Sequence, residues 1–486
     1  MNGMEETHAM RRIWYRHDQA AVEAALERKQ PPDMATTMSS GPLDELVGLH
    51  EELGILNALD DVQTDRRRRG IEDSLLLRTA AVLPFLANPS LTAAAGQLFG
   101  EPAILLRLGW SPLQIRIGDN ERHRDRRHRR IESLPCSPET LRDGLERVKE
   151  EVWSKVQRIG VKALFQRGLV RGHVYAVDGT GLGRGLRLVC LVCVSQKRVV
   201  IVAWRLLTGD ASEKGKEAAV TRSLIEQLLE AGGPGCINLL LADALYADGP
   251  LLAWCKYVHG IDVLTPVPGD REIHRDMEGL AAGGLLKFER LEYVRTIQGH
   301  KQWRKVDLGA RTGLTSWDSF IQAAKKYGAT EPCLWACLVR PVEPTNPEDR
   351  PWTLVSTRDW PNGIAGYQAF RKRWHIENDG YRELKEGWRL EEQRWSRKFV
   401  VQLARVTLTC LAFNTAQMYL MHHGKKIAAK GIRRLRRTYR KELGRTPVVV
   451  YYSDAFGVVS VEKLLRLVGV PARQSLLPMV PLGEPP

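Results

Sequence analysis

The sequence predicts an α/β protein: a mixed sheet with helices packed on it, preceded by a helical region and followed by a basic helical tail. Three observations carry that prediction. Runs rich in Val, Leu and Ile follow one another at His173–Val177, Leu188–Val194 and Val199–Leu206, separated by Gly-rich or polar turns, and read as three consecutive strands. Helical and strand-like runs then alternate: a helix over Gly215–Ala231, a strand over Asn238–Ala242, a helix over Pro250–His259 and a strand over Ile261–Val267. On both sides of this block, apolar residues recur at helical spacing.

Composition bounds the rest. A length of 486 residues allows two to four domains and an ample core. With 43% hydrophobic and 27% charged residues, the chain is not disordered as a whole. Eight cysteines are too sparse for a disulfide scaffold, and Met1–Ala20 has no apolar signal-like run, so a reduced, cytoplasmic setting is expected. The charge-free stretch Val406–Met421 is shorter than the ~20 residues of a membrane span and contains Asn414 and Gln417, so no membrane association is expected.

The elements follow in order. Residues 1–41 form a polar segment, read as a helix and then a linker around Pro31-Pro32. Residues 42–168 are helical. Leu43, Leu46, Leu49 and Leu53 share a stripe, Leu75–Leu86 is strongly apolar, and Leu91–Leu108 turns at Gly100-Glu101-Pro102 as an α-hairpin, with a DNA-reading helix-turn-helix as the lesser alternative. Ser137-Pro138-Glu139 starts a helix that runs to about Phe165. The first part of the core spans 169–267. Over 268–360 the helical period is lost, and Leu286–Tyr293, Trp303–Leu308, Leu334–Arg340 and Trp352–Ser356 read as strands of a β-rich insertion. Residues 361–423 return to helix, over Ile364–Leu390 and the apolar Phe399–Met421. The tail, 424–486, holds the basic Lys425–Leu443, a strand at Val448–Tyr452 and a small helix near Val461–Leu467.

Positive charge is focused. Lys and Arg number 72 against 57 Asp and Glu, a net +15. Glu121–Arg130, Arg66–Arg69 and Lys425–Arg445 together carry more than that net charge, leaving the remainder slightly acidic. Any one run is equally well explained as a solvated helix face. Three in one chain favour a polyanionic partner, most often nucleic acid. Charge alone does not separate DNA from RNA or from an anionic membrane surface.

Three acids stand out. Asp178 ends the first strand and Asp243 the fourth, where a sheet holds side chains rigidly above its edge. Asp178 alone, in an Asp-Gly pair, reads first as a turn residue, and Asp243 alone is equally readable as one. Two together bring four oxygens close, an arrangement that a hard cation such as Mg2+ or Mn2+ relieves. The third is Glu377, which shares a helix face with Arg373 and Tyr381 at i, i+4, i+8 spacing. Cys190–Cys193, Cys333–Cys337 and His422-His423 lack the partners of a zinc site and read as structural.

These pieces, in order, resemble the bacterial insertion-sequence DDE transposases of the Y-R-E-K signature group: VDGT after a first strand, LAD-x-x-Y after a fourth, and RW-x-IE on a late helix. The second gap is about twice the first, and Pro268–Trp360 fills it where that group carries its β-rich insert. The resemblance covers about half the chain, roughly Arg171–Met421. Arg373 and Glu377 match directly. The signature Tyr falls on Phe370, and the signature Lys, seven residues after the Glu, on Leu384, with Lys385 one later, about 100° round an α-helix.

The resemblance implies a ribonuclease H-like core in which Asp178, Asp243 and Glu377 are catalytic and hold two Mg2+ ions, or Mn2+, ~3.5–4 Å apart. It implies metal-dependent cleavage at transposon ends and strand transfer into target DNA. It also implies a homodimer or larger assembly on DNA, in the bacterial cytoplasm at the nucleoid. Arg373 and Lys385 are expected on DNA at the site, and Arg126, Arg127, Arg433 and Arg437 on DNA backbone. Among the tryptophans of the insert, Trp303, Trp317, Trp335 or Trp352 is a candidate to stack on an extruded base. Two other readings remain: a ribonuclease H-like nuclease or resolvase without strand transfer, and a non-catalytic DNA-binding protein.

Overall fold

The computed structural model describes residues 16–30, 32–37, 42–66, 71–86, 89–92, 98, 105, 108–110, 114, 136–208, 217–297, 300–342, 350–392, 395–422, 447–452 and 455–460. It divides into two compact units, Met1–Val156 with Glu392–Pro486, and Gln157–Glu391. The basic runs Glu121–Arg130 and Lys425–Arg445, with Arg126, Arg127, Arg433 and Arg437, lie outside the described residues. So do Arg67–Arg69, most of the Leu91–Leu108 hairpin and the helix expected at Val461–Leu467.

The first unit begins with β1 (Arg16–His17), α1 (Gln19–Glu27) and β2 (Met34–Thr37), followed by α2 (Pro42–Glu52), α3 (Asp73–Val82) and α4 (Pro138–Glu146). Ser137 caps α4 by accepting a hydrogen bond from the Thr140 amide, with Pro138 behind it. The helix expected to continue to Phe165 breaks at Arg147 and resumes as α5 (Glu150–Gln166). Leu141, Leu145, Val148 and Val156 are buried on both sides of the break. The apolar stripe survives the interruption, so periodicity does not register it.

The second unit is built on β3 (Val174–Gly181), β4 (Leu186–Cys193) and β5 (Val200–Thr208), an antiparallel meander. Helix α6 (Glu217–Gly232) leads to β6 (Leu239–Leu241), parallel to β3, and α7 (Gly249–His259) leads to β7 (Asp262–Val267), parallel to β6. This is a ribonuclease H-like core. Strand β3 is longer than its apolar run. Asp178 through Gly181 pair with Cys190 through Arg187, so Asp178 lies inside the strand rather than at its end. Small and polar residues have little strand propensity of their own; the β4 ladder holds them extended.

The segment after β7 departs from expectation in two ways. Its strands are β8 (Phe288–Ile297), β9 (His300–Leu314), β10 (Leu334–Pro341) and β11 (Trp352–Ser356), but two helices lie among them, α8 (Glu272–Ala282) and α9 (Asp318–Lys326). Each buries only a few side chains, Ile273, His274 and Met277 in α8 and Phe320 and Ala324 in α9, too few to sustain a visible helical period. Nor do the four strands form a separate sheet. β11 pairs antiparallel with β7, giving one sheet of nine strands in the order β5-β4-β3-β6-β7-β11-β10-β9-β8. The insertion thereby covers what would otherwise be the exposed edge of β7.

Helix α10 (Gly363–Arg371) opens with Asn362 accepting from the Ala365 amide. Beyond it the winding widens into π-helix over Ile376–Tyr381 and Glu383–Gly387. In the first unit again, α11 (Phe399–His422) packs against α2, α3 and α4. It is long and apolar enough to cross a membrane, yet 83% of its apolar window is buried inside the protein. Its Thr415 hydroxyl meets His50 Nδ1 of α2 at 2.9 Å, and complete burial pushes the His50 imidazole down to about 3. Finally β12 (Pro447–Tyr452) and β13 (Ala455–Ser460) join the amino-terminal strands in a small sheet, β1-β13-β12-β2. Val22, Ala25 and Leu26 of α1 pack on Val448, Val450, Tyr452 and Val459. Met34–Thr37, expected as linker, is a strand because its partner comes from the other end of the chain.

Candidate active site

Register brings the two aspartates together. β3 and β6 run parallel with Ala176 opposite Leu241. Asp178 and Asp243 each lie two residues further on, Asp178 still within β3 and Asp243 just past the end of β6. Their backbones then diverge. Asp178 continues the β3–β4 ladder, whereas Asp243 leaves the sheet and caps the short 3-10 turn Ala244–Tyr246, its Oδ1 accepting from the Leu245 amide at 2.7 Å. The Asp243 carbonyl accepts from the Thr265 hydroxyl of β7 at 3.0 Å, which ties it to a third strand.

Glu377 reaches the same place from the helix. Arg373 Nη1 lies 2.9 Å from Asp178 Oδ2, and its Nη2 lies 2.9 Å from Glu377 Oε1. Arg373 is only 7% exposed, and its Nε is buried without a hydrogen-bond partner. Burial pushes the Asp178 carboxyl up to about 6. Arg373 and the Gly179 amide pull it down, while the nearby charges of Asp243 and Glu377 add to the rise. Asp178 thus lies within electrostatic reach of both other acids. Among the described residues, however, no three metal-ligating side chains are gathered round a single point. The donor set, carboxylates only, is of the kind that a hard divalent ion takes, and Arg373 now links two of its members.

Tyr381 was missed as a site residue, although its i+8 spacing from Arg373 was visible. Its hydroxyl donates to the Asp178 carbonyl and accepts from the Cys190 amide at 3.2 Å, so one phenol pins the helix to the β3–β4 pair at Asp178. Burial raises its pKa well above that of a free phenol, so it remains a neutral donor. Arg187 was also missed. Its guanidinium packs over Gly179, where a Cβ would lie 2.7 Å from Nε. The glycine of the Asp-Gly pair therefore makes room for a cation next to Asp178.

The winding alters the reading of Lys385. A π turn closes i to i+5 bonds and takes in one more residue than an α turn. The 100° offset of an α-helix therefore does not apply between Glu377 and Lys385. Leu384, the position the signature spacing selects, is 1% exposed and belongs to the core. Lys385 is partly exposed, with Nζ 2.6 Å from Glu391. Phe370, at the signature Tyr position, is buried against Trp352.

The remaining candidates separate by burial. Trp317 and Trp335 are core residues, and Trp352 packs on Tyr367 and Phe370. Trp303, opposite Val294 on the outer hairpin, is 71% exposed. Of the Arg66–Arg69 run, Arg66 is buried, paired to Asp73 at 2.7 Å, and is a structural residue rather than a phosphate contact. Cys190 and Cys193 are buried in β4, and all eight cysteines are free thiols. The family model described as a transposase DDE domain matches residues 178–414, from the first of these acids to the middle of α11. No curated protein matches the chain.

Proposed function

We propose, from the match of a transposase DDE domain over residues 178–414, that the chain is an insertion-sequence DDE transposase in which Asp178, Asp243 and Glu377 form the site that cuts DNA at transposon ends and joins it to a target. The observation that carries the reading is that acids from three distant segments come close to Asp178: Asp243 follows β6, the parallel neighbour of β3, and Glu377 is joined to Asp178 through Arg373. These carboxylates would hold two divalent ions, Mg2+ or Mn2+, which would supply charge neutralisation at the scissile phosphate and activation of the attacking oxygen.

The chain's own residues do the positioning. Asp178 is held by the β3–β4 ladder and by Tyr381; Asp243 is held by its capping bond and by Thr265. Arg373, freed from the acids, fits the oxygens of the phosphate with its planar fork. Lys385 and the cation of Arg187 lie on flanking elements and serve the adjoining backbone. Trp303 is the tryptophan of the insertion exposed enough to stack on an extruded base. Arg126, Arg127, Arg433 and Arg437 contribute further backbone contacts, and paired-end chemistry calls for at least two copies of the chain.

Incubating the protein with Mg2+ and oligonucleotides that carry the element's ends tests this reading. Cleaved ends joined to target DNA support it. Cleavage without joining favours a nuclease or resolvase. Equal behaviour of wild type and Asp178→Asn, with binding in both, favours a non-catalytic DNA-binding protein.

A further inference from the structure

Arg373 stands where a buried acidic site needs a cation. Its two terminal nitrogens each meet a different carboxylate at 2.9 Å, on Asp178 and Glu377, and the side chain is almost wholly enclosed. A one-positive guanidinium shared between two acids lowers the repulsion that would otherwise spread them. The arrangement nevertheless carries a cost. The Nε–H points into the protein with no acceptor, which a guanidinium at its final partner would not tolerate without loss. Its Cζ lies 5.4 Å from the Trp374 ring and 5.8 Å from that of Phe370, so aromatic faces line its position without satisfying that donor.

We propose that Arg373 is an internal counter-cation: in the metal-free protein it keeps Asp178 and Glu377 together, and it is displaced from them when divalent ions bind, which frees its fork for the DNA phosphate. The inference rests on the metal-site reading above and adds a competition to it. Arginine and metal cannot both take Asp178 Oδ2 and Glu377 Oε1 in their present positions. Metal loading and release of Arg373 are then one event. The protein would be held from firm metal binding until a phosphate offers the arginine a second partner.

Calorimetric titration of the DNA-free protein with Mg2+ and Mn2+ tests the competition without reference to activity. Arg373→Ala and Arg373→Gln should bind the ions at least tenfold more tightly than wild type. Without metal, both should melt at lower temperature than wild type, and saturating Mg2+ should restore more of that loss than it adds to wild type. Unchanged or weaker metal binding in folded Arg373 variants overturns the proposal. Should both variants fail to fold, wild type decides the matter. Trp374 emission, taken as the difference from Trp374→Phe, should change on Mg2+ addition as the guanidinium leaves the ring, and constant emission during measured metal binding overturns the proposal. The underlying reading fails separately. If neither wild type nor the Arg373 variants take up Mg2+ or Mn2+, or Asp178→Asn takes up as much as wild type, it is the metal site itself that is wrong.

Discussion

Two consecutive stretches of the same helical segment obey different rules. Over Gly363–Arg371 the winding is α, the cap is Asn362, and spacing identifies the buried side as Tyr367 and Phe370. Over Ile376–Gly387 the winding is π, and a residue count made at 3.6 per turn loses its angular meaning. The acid, the tyrosine that pins the strands and the lysine all fall in or beside the second stretch. An extra residue between the acid and the lysine need not move the lysine to another face when the helix widens to absorb it. π turns recur at functional sites, where side-chain direction rather than regularity is what must be kept.

Breaking the contrast outright should have the largest effect. Deleting Ala369 from the α-wound part turns everything downstream by about 100°, which should remove Arg373 and Glu377 from Asp178 and abolish end cleavage. Deleting Gly380 from the π-wound part should let that turn relax to α winding, with a folded protein that retains cleavage within about tenfold. If the two deletions are equally damaging in a cleavage assay, the π segment is not absorbing a residue.

Glu377→Gln comes next. Its shape is nearly unchanged, and cleavage should fall on the order of a thousandfold while end binding in a gel-shift assay stays close to wild type. A variant that cuts normally would remove the third acid from the site. Tyr381→Phe sharpens the comparison at lower cost. It removes the phenol's two hydrogen bonds to the β3–β4 pair, so unfolding in denaturant should show a loss of about 0.5–1.5 kcal/mol, with reduced cleavage. An unchanged stability would mean that the phenol pins nothing. The smallest expected effect is that of Lys385→Ala. If the π winding turns Lys385 toward DNA, the variant should bind DNA with a log–log salt slope shallower by about 0.9, one phosphate contact fewer. An unaltered slope would leave Lys385 as no more than the partner of Glu391.

Much of the core was readable from local pattern. The meander β3–β4–β5 and the alternation through β7 followed from runs of Val, Leu and Ile bounded by turns, and the order of the three acids was plain in the chain. Local pattern could not show that Asp178 sits within a strand. VDGTG has no strand signal of its own, and its extension depends on the facing residues of β4. The strands β10 and β11 were found as strands, but nothing in them says that β11 will pair with β7 and merge insertion and core into one sheet. The same is true of Met34–Thr37, whose partner β12 lies near the opposite end of the chain.

What the sequence determined by itself was the set of chemical groups and their order: carboxylates only, an arginine four residues before the last of them, and a basic chain round a mixed α/β core. These depend on residue type and on contacts along the chain, which a linear reading contains. Only the tertiary structure decided which acid faces which cation, how the helix winds past Glu377, and that Tyr381 closes on the Asp178 carbonyl. Those are contacts between segments far apart in sequence, selected by the balance of burial, charge and backbone pairing that exists only after the sheet has formed.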